Sequence, residues 1–581
     1  MQQCCDYCNE MIFMAQQVVL LILDYLALSG RMQIVHSGKV LPKYWSVDMK
    51  KWGWTLLIAT MMMSAGMLRA DGDHHGGAFD EKNLGKVTFP VSCTPAAQAQ
   101  FNQAVAMLHS FWYDEAGKTF RQVTVTDPDC SMGYWGVAMS LYYQLWATAP
   151  TAAELQTGRE ALRQAKKLAI KTAREKAYLE AVSSLYPEDE KVDLATRKLM
   201  YQKAMEQVLK HNTDDREASV FYALALISTA SPKDKTFANQ KKALHLLQQV
   251  LEHEPEHPGV AHYIIHSSDY PELAGLGLSA ARAYTHIAPA VPHALHMPSH
   301  IFIRLGLWHD AAQSNLAAYH AAKDHARKNA LTGTWDQQFH FMDYMMYAYL
   351  QSGETEKARE ILRELQGIKK AQPENTTVAY AFAAIPARYA VERGEWLEAA
   401  GLDINPKDFP WQQFAWCEAI THFARGLGAA RSGKMDIAHH SLRQLKVLRN
   451  ADQADNKDYT AGQIDIQRLA VAAWIAYAEG EAEEAVKLMR ASADLEDSTE
   501  KDNVTPGAII PARELLGELL LELTQPADAL KELEASLIRT PNRRNGIYRA
   551  AQAARLAGDQ SKAEQYQQQY QQLTLSNQSH K

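Results

Sequence analysis

The feature that most constrains the fold is a pair of apolar helix faces separated by a short glycine turn, repeated along the chain from Ala97 onward. In the clearest unit, residues 342–365, apolar residues recur at steps of three and four, Gly353 interrupts them, and a second apolar face begins at Ala358. This spacing is typical of amphipathic helices, and a glycine between them is typical of a helix end. The pattern predicts an all-α protein built from antiparallel helical hairpins, and the same turn glycine recurs at Gly394, Gly433, Gly480 and Gly558.

These repeats resemble the tetratricopeptide-repeat (TPR) family. The family pattern combines small residues in both helices of a unit with a proline that closes it, as in Gly517, Ala529 and Pro541. The resemblance implies a right-handed α-solenoid, a TPR-like superhelix, and the chain is similar to secreted bacterial TPR proteins. We expect residues 97–330 to form an N-terminal repeat region with a His-rich centre. Residues 331–575 would then form C-terminal repeats, followed by a tail at 576–581.

Two prolines lie inside the first helices of their units. Pro298 and Pro386 cannot donate a backbone hydrogen bond, so a straight helix is not expected at either position.

The segment 49–70 has the composition of a secretory signal peptide. Met49-Lys50-Lys51 is basic, and residues 52–67 are largely apolar. We therefore expect export to a periplasmic or extracellular compartment, with contact to a membrane only through an uncleaved signal. Residues 1–48 are interpreted as an upstream artefact of gene calling or as a genuine extension, and residues 71–96 as a leader and disulfide-tethered segment.

Three cysteines follow the predicted signal. Cys93 precedes the first helix of the first hairpin and Cys130 follows its second helix, so both should lie at the same open end. Thiols that are close together in an oxidising compartment pair. We predict a disulfide between Cys93 and Cys130, and a free, buried thiol at Cys417.

Composition excludes some classes of function. The chain has a formal net charge of -7 and is 47% hydrophobic, so it is globular and offers no basic field for nucleic acid. The charge-rich tracts at 188–191 and 496–502 are interpreted as loops or solvated faces without a site. The aromatic pairs Trp112-Tyr113 and Tyr134-Trp135 are interpreted as hairpin packing.

Histidine is concentrated in the middle of the chain: 12 of the 22 histidines lie between His253 and His340. The TPR resemblance implies that the first helix of each unit lines a concave groove. Counting back from the turn glycines Gly306, Gly353 and Gly394 therefore predicts a groove lined by His293, His296, His300, Arg304, His340, Asp343, Tyr347, Arg388 and Glu392. Six other histidines of the segment are interpreted as structural: His253, His257, His286, His309, His320 and His325.

Several of these imidazoles have the spacing of metal ligands. His262 and His266 are four residues apart, which places both on one helix face. The residue after His262 is Tyr263, so the segment is not the zinc-protease helix with its catalytic glutamate. The predicted ligand set for zinc, copper or iron is His262, His266, His296, His300, His340 and Asp343. A smaller hypothesis is that Asp73-His74-His75, at a mature N-terminus, binds copper or nickel.

Two classes of function remain open. The first, which we favour, is an exported scaffold whose groove binds a peptide or protein partner, because stacked hairpins create extended concave surfaces. The second is a metal- or cofactor-binding helical-repeat protein, with or without catalysis. The sequence contains no nucleophile motif and no glycine-rich phosphate loop, so we assign no catalytic residues and expect binding rather than an enzyme.

Overall fold

The computed structural model describes residues 83–145, 149–189 and 191–576. The predictions for residues 1–82, including the signal peptide and the Asp73-His74-His75 motif, lie outside the described residues, as do residues 577–581 of the tail. The described part is an all-α solenoid of consecutive helices, as predicted. Its helices are α1 Pro95–His109, α2 Tyr113–Thr126, α3 Ser131–Ser140, α4 Ala152–Lys167, α5 Ala173–Ser183, α6 Leu194–His211, α7 Arg216–Ser228, α8 Ala238–Leu251, α9 Pro258–Ser268, α10 Ala274–Ile287, α11 Pro292–His296, α12 Pro298–Arg304, α13 Trp308–Lys328, α14 Asp336–Ser352, α15 Thr355–Gly367, α16 Thr376–Val391, α17 Trp396–Ala400, α18 Ala415–Arg431, α19 Met435–Ala454, α20 Asp458–Ala478, α21 Ala482–Asp497, α22 Ala512–Glu522, α23 Pro526–Arg539, α24 Arg544–Leu556 and α25 Gln560–Ser576.

Other regular structure in the described ranges is short. The strands β1 Thr334–Trp335 and β2 Ala371–Gln372 pair in parallel beside α14, and a 3-10 turn spans Trp411–Gln413. No helix of the described residues combines the length and apolar character that a membrane crossing requires.

The predicted turn glycines end helices in the left-handed conformation. Gly353 follows α14 with φ of 77°, and Gly306 follows α12 with φ of 66°. Glycine adopts this conformation without the strain that a Cβ atom causes. At Gly306 a second constraint applies, because a Cβ atom would lie 2.4 Å from the carbonyl oxygen of Pro541.

The two prolines behave differently. Pro298 divides what would have been one helix into α11 and α12, and it occupies the first turn of α12, where its missing N–H costs no hydrogen bond. At Pro386 the helix is not divided, since α16 continues through the proline. Residues on both sides of Pro386 are fully buried, so tertiary packing offsets the missing hydrogen bond.

The predicted disulfide is present. Cys93 and Cys130 are bonded, with their Cα atoms 5.0 Å apart. It joins the segment before α1 to the turn after α2. Cys417 is a free cysteine buried in α18, as predicted.

A long irregular segment, residues 498–511, connects α21 to α22 and lies against the first helices of the central hairpins. We call it the strap. The Tyr344 hydroxyl of α14 donates to the carbonyl oxygen of Thr505 at 3.1 Å. From α16, the two terminal nitrogens of Arg388 donate to the carbonyl oxygens of Ala508 and Gly507, at 2.7 and 2.6 Å. The strap therefore covers residues that the repeat register assigned to an open groove.

The C-terminal hairpins also return to the middle of the chain. The indole nitrogen of Trp308 donates to the carbonyl oxygen of Asn542 at 2.7 Å, and the Asn545 amide donates to the carbonyl oxygen of Glu392 at 2.7 Å. The turn before α24 and the first residues of α24 consequently pack on α13, α14 and the end of α16, which lie roughly 150 to 235 residues earlier in the chain.

Candidate metal centre

Four helices bring six histidines together in two adjacent groups. The first triad is His262 and His266 of α9 with His293 of α11, and the second triad is His296 of α11, His300 of α12 and His340 of α14. Within each triad the ring nitrogens that could bind an ion all lie within 4.8 Å of one another.

The second triad has two imidazoles whose tautomers are fixed by their neighbours. The Nδ1–H group of His296 donates to the side-chain oxygen of Asn315 at 2.6 Å. The Asn315 amide nitrogen donates to the carbonyl oxygen of Ala311, so its oxygen must face the histidine. The Nδ1–H group of His300 donates to the Asp269 carboxylate at 2.8 Å. Both Nε2 atoms therefore carry lone pairs.

These two Nε2 atoms face each other at 3.0 Å. Two lone pairs at this distance repel unless a proton or a cation lies between them. Burial lowers the pKa of both imidazoles, which disfavours a shared proton at neutral pH. An ion with metal–nitrogen bonds of about 2.0–2.1 Å to both rings would hold the nitrogens roughly 3 Å apart. The separation of 3.0 Å is one that two nitrogen ligands of a single ion can adopt.

The other imidazoles also present nitrogens to the interior. His262 donates from Nδ1 to the backbone oxygen of His109 at 2.6 Å, which leaves the lone pair on its buried Nε2. Among the described residues, Nε2 of His293 and Nδ1 of His340 are buried and have no hydrogen-bond partner. Burial lowers the pKa of His293 to about 3 and holds that of His340 well below its usual value. Metal binding requires such neutral rings.

The two triads open onto one cavity of about 590 Å³, whose wall includes His266, His293, His300 and His340. The ring centroids of His293 and His296 are 5.9 Å apart, and those of His266 and His300 are 6.1 Å apart. The triads are thus neighbours that share an approach path.

Asp269 anchors the second triad from behind. Besides His300, its carboxylate accepts hydrogen bonds from Arg304 and from Lys501 of the strap, each at 2.8 Å. Burial alone would raise the pKa of Asp269, but the two cations hold it well below its usual value. Asp269 is therefore ionised, as expected for a carboxylate that orients a metal-binding histidine.

A third group, His109, Glu217 and His257, is saturated by internal hydrogen bonds. The two Glu217 oxygens lie 3.0 Å from Nε2 of His109 and of His257. The other ring nitrogens are also engaged, His109 with the Tyr263 hydroxyl and His257 with the backbone N–H of Val260. We interpret this group as structural, because it positions the carbonyl oxygen that receives His262.

Four predicted groove residues form ion pairs and hydrogen bonds away from the imidazoles. Asp343 pairs with Arg388 at 3.0 Å and belongs to neither triad. Glu392 pairs with Arg543 at 2.7 Å, and Tyr347 accepts a hydrogen bond from the same guanidinium. The structure thus divides the predicted metal ligands between two triads. Asp343 is not among them, because it pairs with Arg388, and His293 joins the first triad.

Some residues of the site carried no strong pattern in the sequence. The tract at 496–502 was interpreted as a loop or a solvated face without a site. Residues 498–502 do lie in a loop, but the side chains of Glu500 and Lys501 are only 10% and 9% exposed, and Lys501 contacts Asp269 behind the second triad. The Trp112-Tyr113 pair, interpreted as packing, lines the cavity. Asn315 and Asp269 reach the imidazoles from other helices and turns, which residue spacing does not predict.

Comparison with known proteins does not assign the chain to a family. No family model and no curated protein matches it. Among solved structures it is similar to the human IFIT1 dimer with m7Gppp-AAAA, at 12% identity and a TM-score of 0.36, over 76% of this chain and 90% of that one.

Two further solved structures match at lower TM-scores. The P58(IPK) TPR domain has 12% identity and a TM-score of 0.19, over 80% of this chain and 98% of that one. Naa15/Naa10 bound to HypK-THB has 10% identity and a TM-score of 0.20, over 83% of this chain and 74% of that one. At these values no ligand or partner carries over to this chain.

Proposed function

We propose that this protein is a metal-binding helical-repeat protein that holds transition-metal ions at the two histidine triads. The observation that supports this most strongly is the facing pair of Nε2 atoms of His296 and His300. Their Nδ1 hydrogens are committed to Asn315 and Asp269, so each presents a lone pair to the same point. A cation at that point removes the repulsion between them.

The ligands favour copper or zinc. Both triads consist of neutral imidazoles, without a carboxylate or thiolate among the grouped residues. Imidazole suits zinc, copper, nickel and iron, and copper(II) binds most tightly to nitrogen ligands among the divalent ions of this row. Hydrogen bonds from Nδ1 to a carbonyl, an amide oxygen and a carboxylate are the outer-shell contacts that orient metal-binding histidines.

Two ions in neighbouring triads would face one cavity. Metal ions that face a shared cavity can bind a small molecule there and act on it as Lewis acids. The arrangement of the two triads therefore favours a site in which the bound ions contact a ligand in the cavity. Storage of the ions is compatible with the same arrangement.

A second candidate is the scaffold favoured by the sequence, and the strap is the observation that favours it. Arg388 and Tyr344 bind the strap through its main-chain carbonyl oxygens. These helices therefore accept an extended chain through its backbone carbonyls, and side chains of the strap at Thr505 and Lys501 add further contacts. A partner peptide bound there would displace the strap, and a synthetic peptide of residues 498–511 would compete with that partner.

The metal proposal is tested by stripping the purified protein with a chelator and titrating it with zinc or copper(I) and copper(II) salts. We expect one to two tightly held ions per chain after desalting. The His300→Ala variant should lose at least one of them. His286→Ala is the matched control, because His286 lies in the same His-rich segment but is exposed.

Circular dichroism establishes that each variant is folded before uptake is compared. Failure of the wild-type protein to retain any ion, or equal retention by the folded His300→Ala and wild-type proteins, would overturn the proposal.

A further inference from the structure

We infer that the cavity in front of the triads binds a small organic cation that carries an aromatic ring, of the arylalkylamine class. This inference rests on the proposed function for what the ligand does near the ions, although the binding itself depends only on the cavity. Its volume of about 590 Å³ lies within the range of small-molecule sites.

The wall of the cavity is aromatic from the imidazoles to the opening. Phe111 stands in the turn between α1 and α2, and its ring stacks on His266 and His293 with centroids 5.5 and 5.4 Å apart. Tyr113 and Tyr143 meet edge to face at 5.5 Å. The left-handed backbone of Phe111, with φ of 56°, is a conformation that side chains rarely adopt and that the surrounding packing maintains.

Trp112 and Trp335 complete this wall on either side of His325. The Trp112 and His325 rings are 5.5 Å apart, and the His325 and Trp335 rings are 4.6 Å apart. Both indoles line the cavity. The negative faces of indole and phenol rings attract organic cations, which is how aromatic cages bind substituted ammonium groups.

The ionisable side chains at the opening carry negative charge. Asp114, Asp336 and Asp502 line the cavity, and neither lysine nor arginine of the described residues does so. Asp114 is exposed and Asp502 is half-buried, so these two carboxylates meet solvent at the opening. This distribution attracts a cation and repels a carboxylate or phosphate.

One polar group in the wall has no partner. The Tyr113 hydroxyl is buried, and within the described ranges no atom hydrogen-bonds to it. A buried hydroxyl without a partner costs about 1–3 kcal/mol, and a polar group of a bound ligand would remove that cost.

The arrangement also orients the ligand. The ammonium group belongs at the opening, where Asp114 and Asp502 meet solvent, because metal ions at the triads would repel it. The aromatic ring then extends inward along Phe111 toward the imidazoles. The far edge of the ring, with any hydroxyl it carries, faces the ions.

The inference is tested by calorimetry with three probes that share a ring: tyramine, neutral 4-ethylphenol and anionic 4-hydroxyphenylacetate. We expect tyramine to bind about five- to tenfold more tightly than 4-ethylphenol, from its charge alone. The carboxylate probe should bind most weakly to the metal-free protein. Equal affinities for tyramine and 4-ethylphenol, or no binding of tyramine, would overturn the inference.

Variants locate the site. Asp114→Asn should weaken tyramine binding about fivefold and leave 4-ethylphenol binding unchanged, whereas Trp335→Ala should weaken both. Asp129→Asn, at an exposed carboxylate of the following turn, is the matched control and should change neither. Equal tyramine affinities for the Asp114→Asn and Asp129→Asn proteins would contradict the assignment.

Titrations are run on metal-free and metal-loaded protein so that the two proposals fail separately. Preference for tyramine without metal uptake would sustain the cavity as a cation site and overturn the metal centre. Stoichiometric metal uptake without preference for tyramine would support the metal centre and overturn the assignment of the cavity as a cation site.

Discussion

At the scale of single residues, burial in the solenoid changes proton affinity, and Glu496 is a clear case. Burial raises the pKa of its carboxyl to about 7, and its Oε1 accepts a hydrogen bond from the backbone N–H of Ala512 at 2.8 Å. Between about pH 4.5 and pH 7 the folded chain therefore holds a proton that the unfolded chain has released. Glu496 therefore stabilises the folded chain at low pH. As the pH rises through this window, the free energy of unfolding falls by about 3 kcal/mol.

The Glu496→Gln variant keeps the hydrogen-bond acceptor and removes the ionisation. We expect it to match the wild-type protein near pH 5 and to melt at a higher temperature at pH 8, as measured by circular dichroism. Glu483→Gln, at an exposed site in the first turn of the same helix, serves as the control. Wild-type and Glu496→Gln melting temperatures that fall in parallel between pH 5 and pH 8 would show that Glu496 is not the group responsible.

Asn315 is the residue through which the orientation of His296 can be tested. Asn315→Ala removes the acceptor of the His296 Nδ1–H group, so the ring loses both its fixed tautomer and its orientation. Loss of such an outer-shell partner costs about 10- to 100-fold in metal affinity. Competition titration with a chromophoric chelator measures the effect, and Gln313→Ala, exposed on the same helix, should leave the affinity unchanged. An unaltered affinity in Asn315→Ala would argue against His296 as a ligand.

At this scale the sequence predicts which histidines share a helix face, but it does not predict which residues of other helices contact them. His262 with His266, and His296 with His300, share a face because each pair lies four residues apart, which is a local property of a helix. The grouping of His293 with His262 depends on how α11 packs against α9, and spacing along one helix does not encode that distance.

At the scale of elements, the sequence predicts helices and their turns, because periodicity and glycine act within a few residues. The strap is different. Its 14 residues lack a repeat pattern, and irregular loops of this length inside a compact domain are uncommon unless they serve a function. Its position follows from contacts to Asp269, Tyr344 and Arg388, more than one hundred residues earlier in the chain.

The anchoring of the strap depends on Thr505. Its hydroxyl accepts hydrogen bonds from Tyr380 at 2.7 Å and from Arg388 at 3.1 Å. Thr505→Val keeps the shape and leaves both donors short of an acceptor, at a cost of about 1–3 kcal/mol. We expect faster hydrogen exchange across residues 498–511 and faster tryptic cleavage after Lys501.

The control for the strap is Asn503→Ala, since Asn503 is an exposed residue of the same segment. Equal exchange rates in the Thr505→Val and Asn503→Ala proteins would show that the hydroxyl does not hold the strap.

At the scale of the whole molecule, the C-terminal hairpins close against the centre around the buried guanidinium of Arg543. Arg543 is fully buried, and it contacts Glu514 and Glu392 at 2.7 Å and the Tyr347 hydroxyl at 3.0 Å. The repeat pattern predicts each hairpin but not this closure, because a solenoid unit contacts chiefly its neighbours in sequence. The closure is encoded by a few long-range polar contacts.

Arg543→Met tests the closure, since it leaves Glu392 and Glu514 buried without their cation. Removing one partner of such a buried group costs about 3–5 kcal/mol. We expect hydrogen exchange to rise across α22–α25 and along α14 and α16, while α1–α6 keep their protection. Acidification should reduce the loss of stability in the Arg543→Met protein, because protonated carboxyls carry no charge that must be compensated. Arg555→Met, exposed on the same helix, should exchange like the wild-type protein. If protection in α14 and α16 is unchanged in the Arg543→Met protein, the C-terminal hairpins are held by apolar packing and the ion network is not what closes the solenoid.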